Sequence, residues 1–174
     1  MTSTTSGRER ADLLAELNKT RGFLRFTTRD LTDEQARLRT TASELCLGGL
    51  IKHVTAAEHE WVNFILEGSS ALTDFADMTA DDWAKRAAGF QLLPGDTLAG
   101  VLADYESTAS RTDEVITSLP DLDAAHPLPK APWFPPGEQW SARRALLHII
   151  AETAQHAGHA DIIRESLDGA KTMG

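Results

Sequence analysis

The 174-residue sequence contains one cysteine, Cys46, so an internal disulfide and a cysteine-rich zinc site are both excluded. No charged residue adjoins this thiol, and it lies beside the apolar stripe of a predicted helix. We interpret Cys46 as a small packed side chain, with a nucleophile as the alternative.

Long apolar runs are also lacking, and none approaches the roughly 20 residues of a membrane span. The first ten residues, MTSTTSGRER, contain no apolar stretch of the kind that a secretory signal requires. Basic residues are few as well: 17 Lys and Arg against 26 Asp and Glu give a net charge of −9. We therefore expect a soluble cytoplasmic protein that binds neither nucleic acid nor a membrane.

Convincing strand patterns are absent, and six of the seven prolines lie between 120 and 136, which excludes a helix there. Elsewhere apolar residues recur at helical spacing. Four long helices are predicted, over 8–28, 44–67, from just after Asp96 to Leu119, and 141–167, with short helices near 31–38 and 80–88. Predicted N-caps are Ser43 and Ser141, and predicted stops are Gly68 and Gly169.

This pattern predicts an all-α fold, a four-helix bundle with long crossover connections, in a single domain over residues 1–174. Residues 1–7 are small and polar and are expected to be a frayed tail. The Pro-rich loop from Trp133 to Trp140 has two interpretations. It either forms a rigid wall of a substrate pocket at the bundle mouth, or is a surface crossover whose Trp side chains pack onto the bundle.

Ionisable side chains occupy the apolar face of the fourth helix. At about 100° per residue, His148, Glu152, His156 and His159 all fall within about 80° of one another. A carboxylate on a core face needs a proton, a cation or a metal. His53 likewise lies on the apolar face of the second helix, whereas His59 lies on its polar side.

Glu152 and His156 are four residues apart and therefore neighbours on one helix face. A third ligand from an adjacent helix would complete a His-Glu-His set, and three protein ligands leave coordination positions open. Zinc, nickel, iron or manganese could each suit such donors. The alternative is that His53 is a hydrogen-bonded core histidine and that Glu152 and His156 form an ordinary helix pair.

The last helix reads LLHIIAETAQHAGHADIIRE and the second carries LIKHVTAAEHEW. Together they resemble the DinB/YfiT-like superfamily of metal-binding four-helix bundles over essentially the whole chain. Many members carry His-x-x-x-His on the last helix, whereas this chain has Glu152 at the first position. That set resembles the His-Glu-His ligands of the related mycothiol-dependent maleylpyruvate isomerases.

The resemblance implies that His53, Glu152 and His156 bind a divalent metal, with zinc favoured. It implies that His159 lies behind the ligands or faces substrate, with a ligand role as the fallback, and that His148 is a core or pocket residue. Arg164 lies at another helix angle and is not proposed as a site residue.

The implied activity is a thiol S-transferase or isomerase that uses a low-molecular-weight thiol and an electrophile. The abundance of Ala and Arg, typical of GC-rich genomes, favours mycothiol as the thiol. The alternative is a non-catalytic metal-binding stress-response bundle. Bundles of this kind often pair, so a homodimer is a further expectation.

Overall fold

A computed structural model of the chain describes residues 3–173, and it is helical over most of that length. Its helices are α1 (Ser3–Phe26), α2 (Asp33–Arg37), α3 (Leu47–Glu67), α4 (Ala80–Gly89), α5 (Leu98–Ser118) and α6 (Ala142–Asp168). Two 3-10 turns, Gly68–Ala71 and Phe75–Asp77, lie between α3 and α4. The all-α prediction is confirmed. Within the described residues, no helix is long and apolar enough to cross a membrane.

The four long helices pack in the cyclic order α1, α6, α3, α5, each against two neighbours. α1 and α6 run parallel, because Glu9 pairs with Arg143 near their starts. At their far ends, Arg164 of α6 donates a 2.9 Å hydrogen bond to the carbonyl of Thr27, just after α1.

α3 and α5 also run parallel. Lys52 pairs with Asp96 just before α5, and Arg111 donates a 2.7 Å hydrogen bond to Asn63 farther along both helices. Parallel neighbours that follow one another in sequence require a connection as long as the bundle itself. Residues 68–97 supply this crossover, which confirms the predicted long connection.

A small antiparallel hairpin is the one departure from an all-helical chain in the described residues. Its strands are β1 (Ala125–Pro127) and β2 (Gln139–Ser141), with His126 opposite Trp140. Three residues per strand are too few to show an alternating sequence pattern, and prolines in the intervening loop conceal it further. The hairpin leads directly into α6 and so fixes where that helix begins.

Several boundaries agree with the sequence and two differ. The Ser141 hydroxyl accepts from the Arg144 N–H as predicted, and Gly169 closes α6 with a left-handed φ of 80°. The Ser43 cap is wrong: its hydroxyl accepts from the Leu45 N–H in a local turn, and α3 starts at Leu47 instead.

The other difference is in α1, which extends back to Ser3 rather than starting at residue 8. Residues 1 and 2 lie outside the described part of the chain. The fraying expected for residues 1–7 stays a prediction.

The core divides into two apolar clusters stacked along the bundle. One contains Leu24, Leu50 and Tyr105, and the other contains Leu17 and Phe64. Between them lie four buried polar side chains, one from each long helix, which we call the polar layer: Arg21, Glu58, Thr112 and Thr153. The predicted metal ligands on α6 flank this layer.

Candidate metal centre

Three side chains predicted from sequence meet between α3 and α6. Glu152 Oε1 lies 3.2 Å from His53 Nε2 and 3.3 Å from His156 Nε2. One donor atom from each of the three residues lies within 4.8 Å of the other two. The structure therefore brings His53, Glu152 and His156 to one point, although 99 residues separate the first two.

Glu152 is held as a carboxylate. Hydrogen bonds from His156 and His53 keep its pKa well below the usual range, against the opposing effect of partial burial. Both imidazoles are more shielded than the carboxylate, with side chains 11% and 15% exposed against 26% for Glu152. The centre is thus a negative charge between two sheltered imidazoles, with its open side at the carboxylate.

The His53 ring is fixed by the crossover between α4 and α5. Phe90 stacks on it with centroids 4.0 Å apart and planes 21° apart. This packing depends on Gly49, because a Cβ there would lie only 1.9 Å from the Phe90 carbonyl oxygen. The glycine pair near the start of α3 therefore allows the crossover to approach and cover one face of the ligand ring.

His159 does not join the three converging donors. Its Nδ1 lies 3.3 Å from Nδ1 of His156, on the side of that ring away from Glu152. One ring donates and the other accepts, so His159 sets which nitrogen of His156 carries the proton. His159 therefore lies behind His156 as seen from Glu152, and its role stays a prediction.

His148 lies one turn before Glu152 and is half-buried between aromatic rings. Its ring meets Trp61 edge-on at 4.8 Å and Trp140 at 5.1 Å. Burial lowers the pKa of His148, while the Glu152 charge opposes that shift. His148 therefore lies in an aromatic setting one helical turn from Glu152.

Other residues singled out from the sequence lie away from the centre. His59 is exposed, as its helix angle predicted. Cys46 is buried, with its sulfur 3.9 Å from the Phe90 carbonyl oxygen. Arg164 is buried and donates to the carbonyls of Thr27 and Arg29, so it holds the end of α1.

Sequence inspection missed the buried ion pair of the polar layer. Arg21 of α1 pairs with Glu58 of α3, and their side chains are 1% and 0% exposed. Burial alone would lower the pKa of Arg21, but the hydrogen bonds and charges of Glu58 and Asp113 together outweigh it and raise that pKa. The sequence did contain a sign that Arg21 is buried, since Leu17 and Leu24 flank it at helical spacing on the apolar stripe of α1.

The donor types and two of the three donor separations fit a divalent cation, and the two imidazole donors lie within 4.8 Å of each other. Two donors bound at about 2.1 Å to one ion lie roughly 3 to 3.5 Å apart. The two separations from Glu152, 3.2 and 3.3 Å, fall in that range. Two imidazoles and one carboxylate are ligands that zinc, nickel, iron and manganese accept.

Comparison with known families finds a match over most of the chain. A family model described as mycothiol-S-transferase matches residues 12–169. No curated protein matches the chain.

Proposed function

The chain belongs to the mycothiol-S-transferase family, a DinB-like family, and on that premise we propose that it is a divalent-metal-dependent thiol S-transferase or isomerase. Its co-substrate is a low-molecular-weight thiol, with mycothiol favoured, and its second substrate is a small electrophile. His53, Glu152 and His156 bind the metal, with zinc favoured over nickel, iron and manganese. A homodimer in the cytoplasm is part of the proposal.

The observation that supports the proposal is the convergence of three donors, in which the Glu152 carboxylate is partly exposed to solvent. Three protein ligands leave room for a co-substrate, whereas structural zinc sites are closed by four. A divalent ion held there would lower the pKa of a bound thiol, so that thiolate, the nucleophile, forms near neutral pH.

The chain's own residues prepare this chemistry. Glu152 provides the negative charge that retains a cation at the centre. With an ion bound in place of the Nε2 proton, His159 can accept the Nδ1 proton of His156 and so leave the Nε2 lone pair directed at the ion. Phe90 covers one face of His53 and keeps water from it.

Metal analysis of the purified protein, together with conjugation of monochlorobimane to candidate thiols, tests the proposal. We expect about one ion per chain and thiol-dependent activity in the wild type. His53→Ala and His156→Ala should lose both while circular dichroism shows an intact bundle. His59→Ala, an exposed histidine on the same helix, is the matched control and should keep both.

Two results would contradict the proposal. Bound metal without thiol conjugation or isomerisation would favour a non-catalytic metal-binding bundle. No metal in the wild type, with both histidine variants unfolded, would make His53 and His156 core hydrogen-bonding residues. Sedimentation of the wild type tests the dimer, and cell fractionation tests the location.

A further inference from the structure

One side of α6 is apolar and exposed over most of the helix. Leu147 and Ile162 are 49% and 63% exposed, and about 22 Å of helix separates them. At about 100° per residue, the exposed apolar residues of α6 all fall within about 80° of one another: Leu147, Ala151, Ala154, Gly158 and Ile162. We call these five residues the outer face of α6. Single exposed apolar residues are ordinary, whereas a continuous apolar face indicates contact with a partner.

No charged side chain interrupts the outer face of α6. Between residues 145 and 160 the one acidic or basic residue is Glu152, which belongs to the metal centre. The neighbouring ligand His156 lies on the opposite side of the helix from Leu147. A partner can therefore cover the outer face without covering the metal centre.

Gly158 lies within α6, and its own chain gives no reason for a glycine there. Its φ is not positive, and a Cβ at this position would meet nothing within 4 Å. Glycine destabilises a helix interior relative to alanine. A second helix that crosses at Gly158 would account for it, because a residue without a side chain lets two backbones approach closely.

Charges of opposite sign stand at the two ends of the outer face. Arg144 precedes it and Glu165 follows it, both exposed and within the same 80° of helix surface. Arg144 lies over the Trp140 ring at 5.0 Å, and Glu165 pairs with Lys171 at 3.1 Å in a half-exposed pair. A second α6 in antiparallel orientation would bring each positive end against a negative end, whereas a parallel copy would bring like charges together.

One antiparallel register satisfies these requirements together. Its two-fold axis passes between Ala154 and Gln155, at the middle of the outer face. Three pairs, whose members lie equally far from the axis, then meet across it: Leu147 with Ile162, Ala151 with Gly158, and Arg144 with Glu165 of the second copy. Each pair occurs twice, as a two-fold symmetric interface between identical chains requires.

A groove beside the outer face provides space for the Ile162 side chain of a second copy. The groove lies between α1 and α6 and has a volume of about 670 Å³. Its apolar lining is Leu13, Leu147 and Ile150, and charged residues of α1 form the rest: Arg8, Glu9, Asp12 and Glu16. Since Leu147 faces Ile162 in this register, the isoleucine of the second copy meets apolar side chains of both helices.

We propose that the outer face of α6 is the homodimer interface of this protein, with the two α6 helices antiparallel. This inference rests on the homodimer in the proposed function, to which it assigns a surface and an orientation. It does not depend on the metal or the thiol, because the metal ligands lie on the other side of α6.

Gly158→Leu tests the crossing point. Within its own chain the new side chain meets open space, and leucine favours a helix over glycine, so circular dichroism should show an intact bundle. Sedimentation of the full-length wild type should show a dimer. The variant should raise the dimer dissociation constant at least about thirtyfold, because a leucine from each copy collides with the facing helix.

Gly22→Leu is the matched control for this substitution. Gly22 lies within α1, and a Cβ there also meets nothing within 4 Å. The control should leave the dimer dissociation constant unchanged, because Gly22 lies outside the proposed interface.

A charge exchange tests the orientation of the two helices. Arg144→Glu should weaken the dimer about tenfold at low salt, because acidic side chains then face each other at both ends. Arg144→Glu combined with Glu165→Arg in one chain should restore most of the affinity, since each pair of opposite charges is re-formed in reverse. In a parallel dimer the single exchange would leave like charges together, as before, and would not weaken the dimer.

Four results would overturn the assignment: a monomeric wild type, a dimer that Gly158→Leu leaves intact, a dimer that Gly22→Leu also dissociates, or a charge exchange without loss and restoration. Metal content and thiol conjugation of the wild type separate this proposal from the transferase. A dimer that responds as expected, in a chain that binds no metal and conjugates no thiol, would reject the transferase and keep the interface. A monomer that binds metal and conjugates thiol would do the reverse.

Discussion

Removal of the Glu58 carboxylate tests how much the buried ion pair with Arg21 stabilises the bundle. In the wild type, two guanidinium nitrogens of Arg21 donate to the Glu58 carboxylate. The Glu58→Ala substitution leaves Arg21 in the core without this main partner. Asp113, 2.8 Å from Arg21 and 36% exposed, remains as a second partner, together with Asn18 at 3.0 Å. The remaining charge is therefore only partly compensated.

Breaking a buried ion pair by removing one partner costs about 3 to 5 kcal/mol. Because Asp113 and Asn18 remain, we expect the lower end, about 3 kcal/mol of lost unfolding free energy. At a urea slope of about 2 kcal/mol per molar, the midpoint should fall by about 1.5 M with little change in slope.

Urea unfolding followed by far-ultraviolet circular dichroism measures this loss. Glu16→Ala breaks a half-exposed pair with Lys19 and should cost less than about 0.5 kcal/mol. Arg21→Met with Glu58→Leu replaces the pair by apolar groups and should stay within about 1 kcal/mol of the wild type. A single-variant loss below about 1 kcal/mol, or a double variant as unstable as the single, would refute the reasoning.

Three further substitutions probe the surroundings of the centre. Gly49→Ala should lower stability by about 1 to 3 kcal/mol in thermal melts, because its Cβ collides with the Phe90 carbonyl. His159→Ala should weaken metal affinity about 10- to 100-fold in chelator competition, because the partner of His156 Nδ1 is lost. Cys46→Ala should retain thiol conjugation, since the buried sulfur packs against backbone.

For each of the three substitutions, one outcome would contradict the prediction. A melting temperature equal to the wild type would show that residue 49 tolerates a side chain. Unchanged metal affinity without His159 would place that ring outside the support of the centre. Loss of conjugation in a folded Cys46→Ala variant would restore the nucleophile interpretation.

The long helices and the grouping of His53, Glu152 and His156 could be anticipated from the sequence. Helical spacing assigned each residue to an apolar face, and the family resemblance selected these three from the other histidines. Helix angles alone could not place His53 opposite Glu152, because that pairing depends on how α3 and α6 dock.

Features that depend on tertiary contacts were harder to predict from the sequence. The Phe90 carbonyl approaches Gly49 so closely that a Cβ would collide with it, and no local sequence pattern indicates this contact. Arg21 lies on the apolar stripe of α1, but its pairing with Glu58 depends on how α1 and α3 pack and could not be predicted from the sequence. The rings of Phe75 and Trp133 likewise come from distant parts of the sequence, and they meet because hydrogen bonds join Asp74 and Phe75 to Lys130.

The origin of the three donors on opposite halves of the chain has a thermodynamic consequence. An unfolded chain cannot present residues 53 and 152 to one ion, so a cation that binds the native centre shifts the folding equilibrium by mass action. A free ion concentration one hundred times its Kd would raise the free energy of unfolding by about 2.7 kcal/mol. Thermal denaturation scans across a panel of ions would therefore rank the metals by affinity without any knowledge of the reaction.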